Sequence, residues 1–73
     1  MTSQRVKINY KKLWKKLIDE DMTKSELRDK TNIAPSTIHK MNNNEYVSLD
    51  VLVRICGVMH CGLDDIVEIE KNS

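Results

Sequence analysis

At 73 residues the chain is sized for one small domain with a marginal core. Apolar residues at 40% and charged residues at 32% suit a compact chain rather than a disordered one, and no apolar run approaches the roughly 18 residues of a membrane helix. The net charge of +1 hides a division: residues 1–47 carry ten Lys/Arg against six Asp/Glu, whereas residues 48–73 carry two against five.

The N-terminal segment, MTSQRVK, is not followed by the apolar stretch of a signal peptide, so a cytoplasmic protein is expected, with Cys56 and Cys61 as reduced thiols. Val6 and Ile8 alternate with Arg5, Lys7 and Asn9, and Val67 and Ile69 alternate with Glu68 and Glu70. These period-two patterns of opposite charge predict two short terminal β-strands, antiparallel, paired within a chain or across a dimer.

Between them the periodicity is helical. Tyr10, Leu13, Trp14, Leu17 and Ile18 recur every three or four residues and predict a first helix from about Tyr10 to Glu20 with one apolar stripe. Asn9 is placed to cap it, Ile8 and Leu13 to staple it, and Lys11, Lys12, Lys15 and Lys16 fill its other side. A second helix, about Lys24–Lys30, opens on a Thr23/Glu26 capping box with Met22 and Leu27 as staple. Thr31 to Ala34 leave room only for a sharp turn, in which Asn32 tolerates positive φ. The third helix runs from Pro35, whose φ is preset for a first helical position, to about Met41, with Ile38 and Met41 facing inward. Asn42, Asn43 and Asn44 stop it.

Ser48 caps a fourth helix, with Asp50 in its first turn and Leu49, Leu52, Val53, Ile55, Cys56 and Met59 as its apolar faces. A fifth short helix, about Leu63–Val67, is expected to start at Gly62. The fold class is all-α, apart from the terminal strands.

The segment TKSELRDKTNIAPSTIHKMNN, residues 23–43, reads as two short helices joined by a tight turn and lies in the basic half. Its second helix carries Ser36, Thr37 and Lys40 towards one side, and small hydroxyls with a cation suit the DNA major groove. Lys40 can bond guanine O6 and N7 or meet a phosphate. Ser36 and Thr37 can touch bases or satisfy first-turn N–H groups, and His39 is either a reader or an exposed polar residue. Lys24 opposes the macrodipole at a helix N-terminus, where an arriving phosphate would suit both the ammonium and the free N–H groups. Tyr10 and Trp14 lie on the apolar stripe of the first helix and read as core or interface residues, not base-stacking platforms. Cys56, His60 and Cys61 lack a zinc spacing, so no metal or other cofactor is expected. No nucleophile–base pair, carboxylate pair or phosphate loop supports an enzyme.

The run ELRDKTNIAPSTIHKM, followed by VSLDVLVRICGVMHCGLDDI, resembles the Cro/C1-type (XRE) helix-turn-helix DNA-binding domains over about Tyr10–Val67. YKKLWKKLIDEDM and SLDVLVRIC are similar to the short stand-alone regulators of Gram-positive bacteria, one of which sits in certain glycopeptide-resistance operons. The resemblance implies a five-helix, lambda-repressor-like domain over residues 1–73, with the third helix in the major groove and the second anchored on phosphate. It places base contacts on Pro35, Ser36, Thr37 and Lys40, with His39 beside them. The anchor falls on Thr23 and Lys24, and loop contacts to phosphate fall on Asn43, Asn44 and Tyr46.

Three departures stand out. Asn32 occupies a turn position usually held by Gly, Arg28 replaces a frequent Ala and must swing outward, and Pro35 has no side-chain hydrogen bond to give. The implied function is a sequence-specific regulator of transcription bound to double-stranded DNA, a repressor by default. Useful specificity implies a homodimer reading two half-sites about one helical turn apart, with no membrane partner and no small-molecule ligand. The alternative is a protein-interaction module, antitoxin-like or an inhibitor subunit, that reuses the fold.

Overall fold

The computed structural model describes residues 5–72. In chain order these form β1 (Arg5–Asn9), α1 (Lys11–Asp19), α2 (Lys24–Thr31), α3 (Pro35–Asn42), α4 (Leu49–Met59), one 3₁₀ turn (Leu63–Asp65) and β2 (Glu68–Asn72). There are thus four α-helices among the described residues, not five. The expected fifth helix begins at Gly62, whose N–H donates to the Asp65 carboxylate at 3.0 Å, but ends after one turn. Ile66 is fully buried in the core, and the chain leaves it for β2 before a second turn can form.

The terminal strands pair within the chain, antiparallel, with Ile8 opposite Ile69, Lys7 opposite Glu70 and Val6 opposite Lys71. The opposite charges read in the two segments thereby meet as a cross-strand pair. Asn9 leads from β1 into α1. It was expected as the N-cap, but Tyr10 takes that position. Asn9 still serves the helix end: its Oδ1 accepts from the Lys11 N–H at 3.2 Å, while its Nδ2 donates to Glu70 of β2.

One core unites the helices. It comprises Tyr10 at the N-cap of α1, Leu13 and Leu17 from α1, Leu27 from α2, Ile38 and Met41 from α3, and Leu52, Ile55 and Met59 from α4, closed by Ile33 and Ile66. Three residues of the expected apolar faces stand exposed outside it. Ile18 is 77% exposed, because the eighth residue after Tyr10 lies about 80° round the helix from it. On α4, Leu49 and Val53 are likewise exposed, to the side of the Leu52–Ile55–Met59 row.

Each helix ends on a left-handed residue that is not glycine: Asp21, Asn32, Asn44 and His60, with φ between 55° and 57°. Reversal in this conformation lets later N–H groups reach the last turn. The Met22 N–H donates to Leu17 O, Ile33 N–H to Arg28 O, Glu45 N–H to Lys40 O and Cys61 N–H to Cys56 O, at 2.9–3.2 Å. Cys56 and Cys61 are half-buried free thiols at the last of these caps, and burial pushes the Cys61 thiol up.

Tyr10 is the one core aromatic with a long-range tie, its hydroxyl donating to the Glu45 carbonyl at 2.6 Å. This bond joins the start of α1 to the loop after α3. Burial, and then the neighbouring Tyr46, raise its pKa above the ordinary 10.0.

Two consequences for stability are expected. Tyr10→Phe should lower the unfolding free energy by about 1 kcal/mol in urea at neutral pH. Because the folded state holds the Tyr10 proton more tightly, that group's contribution is full below about pH 10 and is lost as pH rises through the folded value. Wild-type stability should therefore fall faster than that of Tyr10→Phe above pH 10, and parallel curves would contradict the burial of the hydroxyl. His60→Gly relieves a left-handed non-glycine residue and should raise stability by about 0.5–1 kcal/mol, measured by thermal unfolding.

Candidate nucleic-acid interface

α2 starts where the sequence places it. Thr23 Oγ1 accepts from the Glu26 N–H at 3.1 Å, and the Glu26 carboxylate accepts from the Thr23 N–H at 3.0 Å. The capping box satisfies two of the helix's orphan donors. Met22 packs half-buried against the core that holds Leu27. At the other end Thr31 is buried and its hydroxyl donates to Leu27 O at 2.7 Å. Asn32 then adopts φ 57° and ψ 39°, so the turn usually made with glycine is preserved by asparagine. Arg28 is half-buried and swings only part-way into solvent.

α3 begins with Ala34 as N-cap and Pro35 in its first turn. Ile38 and Met41 are buried, which turns the opposite side outward. Pro35, Ser36, His39 and Lys40 are exposed there, and Thr37 is half-buried. Neither hydroxyl, Ser36 or Thr37, has a hydrogen-bond partner among the described residues, nor has the Lys40 ammonium. The capping use of the hydroxyls, left open by the sequence, is not taken.

The loop after α3 is more engaged. The Asn43 side-chain amide donates to the His39 carbonyl at 3.2 Å and lies 3.3 Å from His39 Nε2. Asn44 holds the left-handed position and its side chain is exposed. Tyr46 is exposed, its hydroxyl 3.5 Å from the Val6 carbonyl. A groove of about 850 Å³ beside this loop is lined by Asn43, Asn44 and Tyr46 together with Lys7, Lys11 and Glu70. The sequence did not place those two lysines with the loop, because nothing local to either segment shows that β1 and the start of α1 run beside it.

Lys24, at the first position of α2, is exposed but occupied. Its ammonium donates to Asn42 Oδ1 at 2.6 Å and lies 4.1 Å from the centre of the Trp14 ring. The sequence marks Asn42 only as a helix stop and Trp14 only as a core or interface residue. A lysine–tryptophan contact joining two helices carries no signal at sequence spacing. Among the described residues no group of three or more His, Cys, Asp or Glu side chains could hold a metal ion, and no helix is long and apolar enough to cross a membrane.

Two helices at a sharp turn, the second with a polar outer face, match a known pattern. A family model for the Cro/C1-type HTH DNA-binding domain aligns with residues 12–72. The chain belongs to this family. A solved structure, the crystal structure of transcriptional regulator VanUg (Form II), superposes with a TM-score of 0.91 at 43% sequence identity, covering 99% of this chain and 96% of that one. A search of curated proteins found no match.

In this Cro/C1-type chain the capping box fixes where α2 starts and hence where its N-terminus points. Thr23→Ala removes the side-chain half of that box and is expected to destabilise the fold by about 1 kcal/mol in urea denaturation, without loss of the native circular dichroism spectrum. No change in stability would show that the cap is not formed in solution.

Proposed function

We propose that this chain is a sequence-specific regulator of transcription that binds double-stranded DNA through α3, in the cytoplasm, most simply as a repressor. The observation that carries the reading is the outward face of α3: hydroxyls and an ammonium without partners among the described residues, backed by Ile38 and Met41 in the core. Polar groups held in place and left unsatisfied towards one side are ready to meet base edges and phosphates. Family membership and the likeness to a transcriptional regulator support it. That likeness also fits the resemblance to small regulators of glycopeptide-resistance operons.

In this reading Pro35, Ser36, Thr37 and Lys40 meet the major-groove edge, with His39 beside them. Thr23 and Lys24 approach phosphate at the start of α2, where the free N–H groups and the macrodipole favour an anion. Asn44 and Tyr46 reach phosphate from the loop. Asn43 contributes less than expected, since its amide donors are already directed at His39. The whole chain acts as one Cro/C1-type domain, and two copies read half-sites about one helical turn apart. Of the surfaces open to a second copy, Ile69 of β2 is exposed, whereas Ile66 is buried and cannot contribute.

The test is a titration of duplexes selected by the wild-type protein from a random-sequence pool, at several salt concentrations. Specific binding should show a site preference and fall steeply with salt, with a log–log slope of about −0.9 per phosphate contact. Lys40→Ala should weaken binding by roughly 1–3 kcal/mol and relax the preference at one base position if it reads guanine. Equal loss on all sequences would assign Lys40 to phosphate. Binding without site preference at any salt would overturn the proposal in favour of a protein-interaction module.

A further inference from the structure

The Lys24 ammonium sits where three helices meet. Trp14 belongs to α1, Lys24 opens α2 and Asn42 closes α3. The ammonium lies 4.1 Å from the centre of the Trp14 ring and donates to Asn42 Oδ1 at 2.6 Å. We propose that Trp14 and Asn42 are positioning residues for DNA binding: they hold the Lys24 ammonium at the place where phosphate arrives and tie α3 to α2. This deepens the reading above and rests on it, while neither residue belongs to the contacts given there.

Electrostatics favours the arrangement. A cation at the first position of α2 is opposed by that helix's dipole, yet the same ammonium lies at the last residue of α3, the end that attracts cations. The face of an indole is a further site of negative potential. An ammonium has three donors, and one bond to Asn42 leaves others for an anion. A free lysine would lose rotamer freedom on meeting phosphate, whereas a tethered one has already lost it on folding. The tether has a second effect. Lys24 and Asn42 lie 18 residues apart on the two arms of the helix-turn-helix, so their bond resists any change in the angle between those arms.

The experiment compares wild type with Asn42→Ala, Lys24→Met and the double variant, titrated with the selected duplex across salt concentrations. Asn42→Ala should weaken binding about three- to tenfold with an unchanged salt slope, since no phosphate contact is lost. Lys24→Met should weaken binding and reduce the slope by about 0.9. Adding Asn42→Ala to Lys24→Met should then cause no further loss, because Asn42 acts through Lys24. Equal losses with and without Lys24, or full affinity in Asn42→Ala, would overturn the proposal.

Trp14 is the sole tryptophan, so its emission reports the contact without any DNA. Lys24→Met should shift that emission in the free protein, and an unchanged spectrum would also overturn the proposal. Duplex binding that persists without coupling defeats this inference alone. Failure of the wild type to bind any duplex defeats the functional reading beneath it.

Discussion

α3 has eight residues, well short of the roughly 12–15 at which an isolated helix begins to hold in water. Its existence and its direction therefore come from burial, chiefly of Ile38 and Met41. Two such side chains removed from water contribute about 3–6 kcal/mol, several times what a cap supplies. The placement of every candidate DNA contact on α3 depends on that constraint. With those two residues inside, Ser36 and Lys40 must point out, and the groups that could read DNA are set by the groups that cannot leave the core.

The neighbouring elements hold α3 at a defined angle. Asn32 in the left-handed region turns the chain sharply enough for Ile33 to return to the core immediately. The Tyr10 hydroxyl grips the Glu45 carbonyl from α1, steadying the loop that leaves α3. The β1–β2 ribbon brings Lys7 beside the same loop, and so joins the basic first half of the chain to the surface around α3. The acidic character of the second half is drawn partly into that ribbon, where Glu70 stands opposite Lys7.

Much of this was legible because local rules decide it. The Thr23/Glu26 box, the Ser48 cap, proline at the start of α3 and the left-handed Asn32 are each settled within a few residues, and each forms as read. The alternating ends predicted strands, although one segment alone could not say whether its partner was in the same chain. What local rules miss is angular or distant. Ile18 and Val53 match a helical spacing yet sit at the margin of the stripe, so counting residues places them inside and geometry places them outside. The fifth helix failed because Ile66 is drawn into the core after a single turn, a tertiary demand that its own segment does not reveal. The partners of Lys24 and the lysines facing the loop after α3 required the fold itself.

An amide-resolved NMR titration of the protein with the selected duplex tests directly whether α3 is the face that meets DNA. The largest shifts are expected on residues 36–40, at the start of α2 and in the loop at 44–46, while the buried row of α4 stays unmoved. Shifts concentrated on α4 or on the ribbon, with α3 silent, would contradict it.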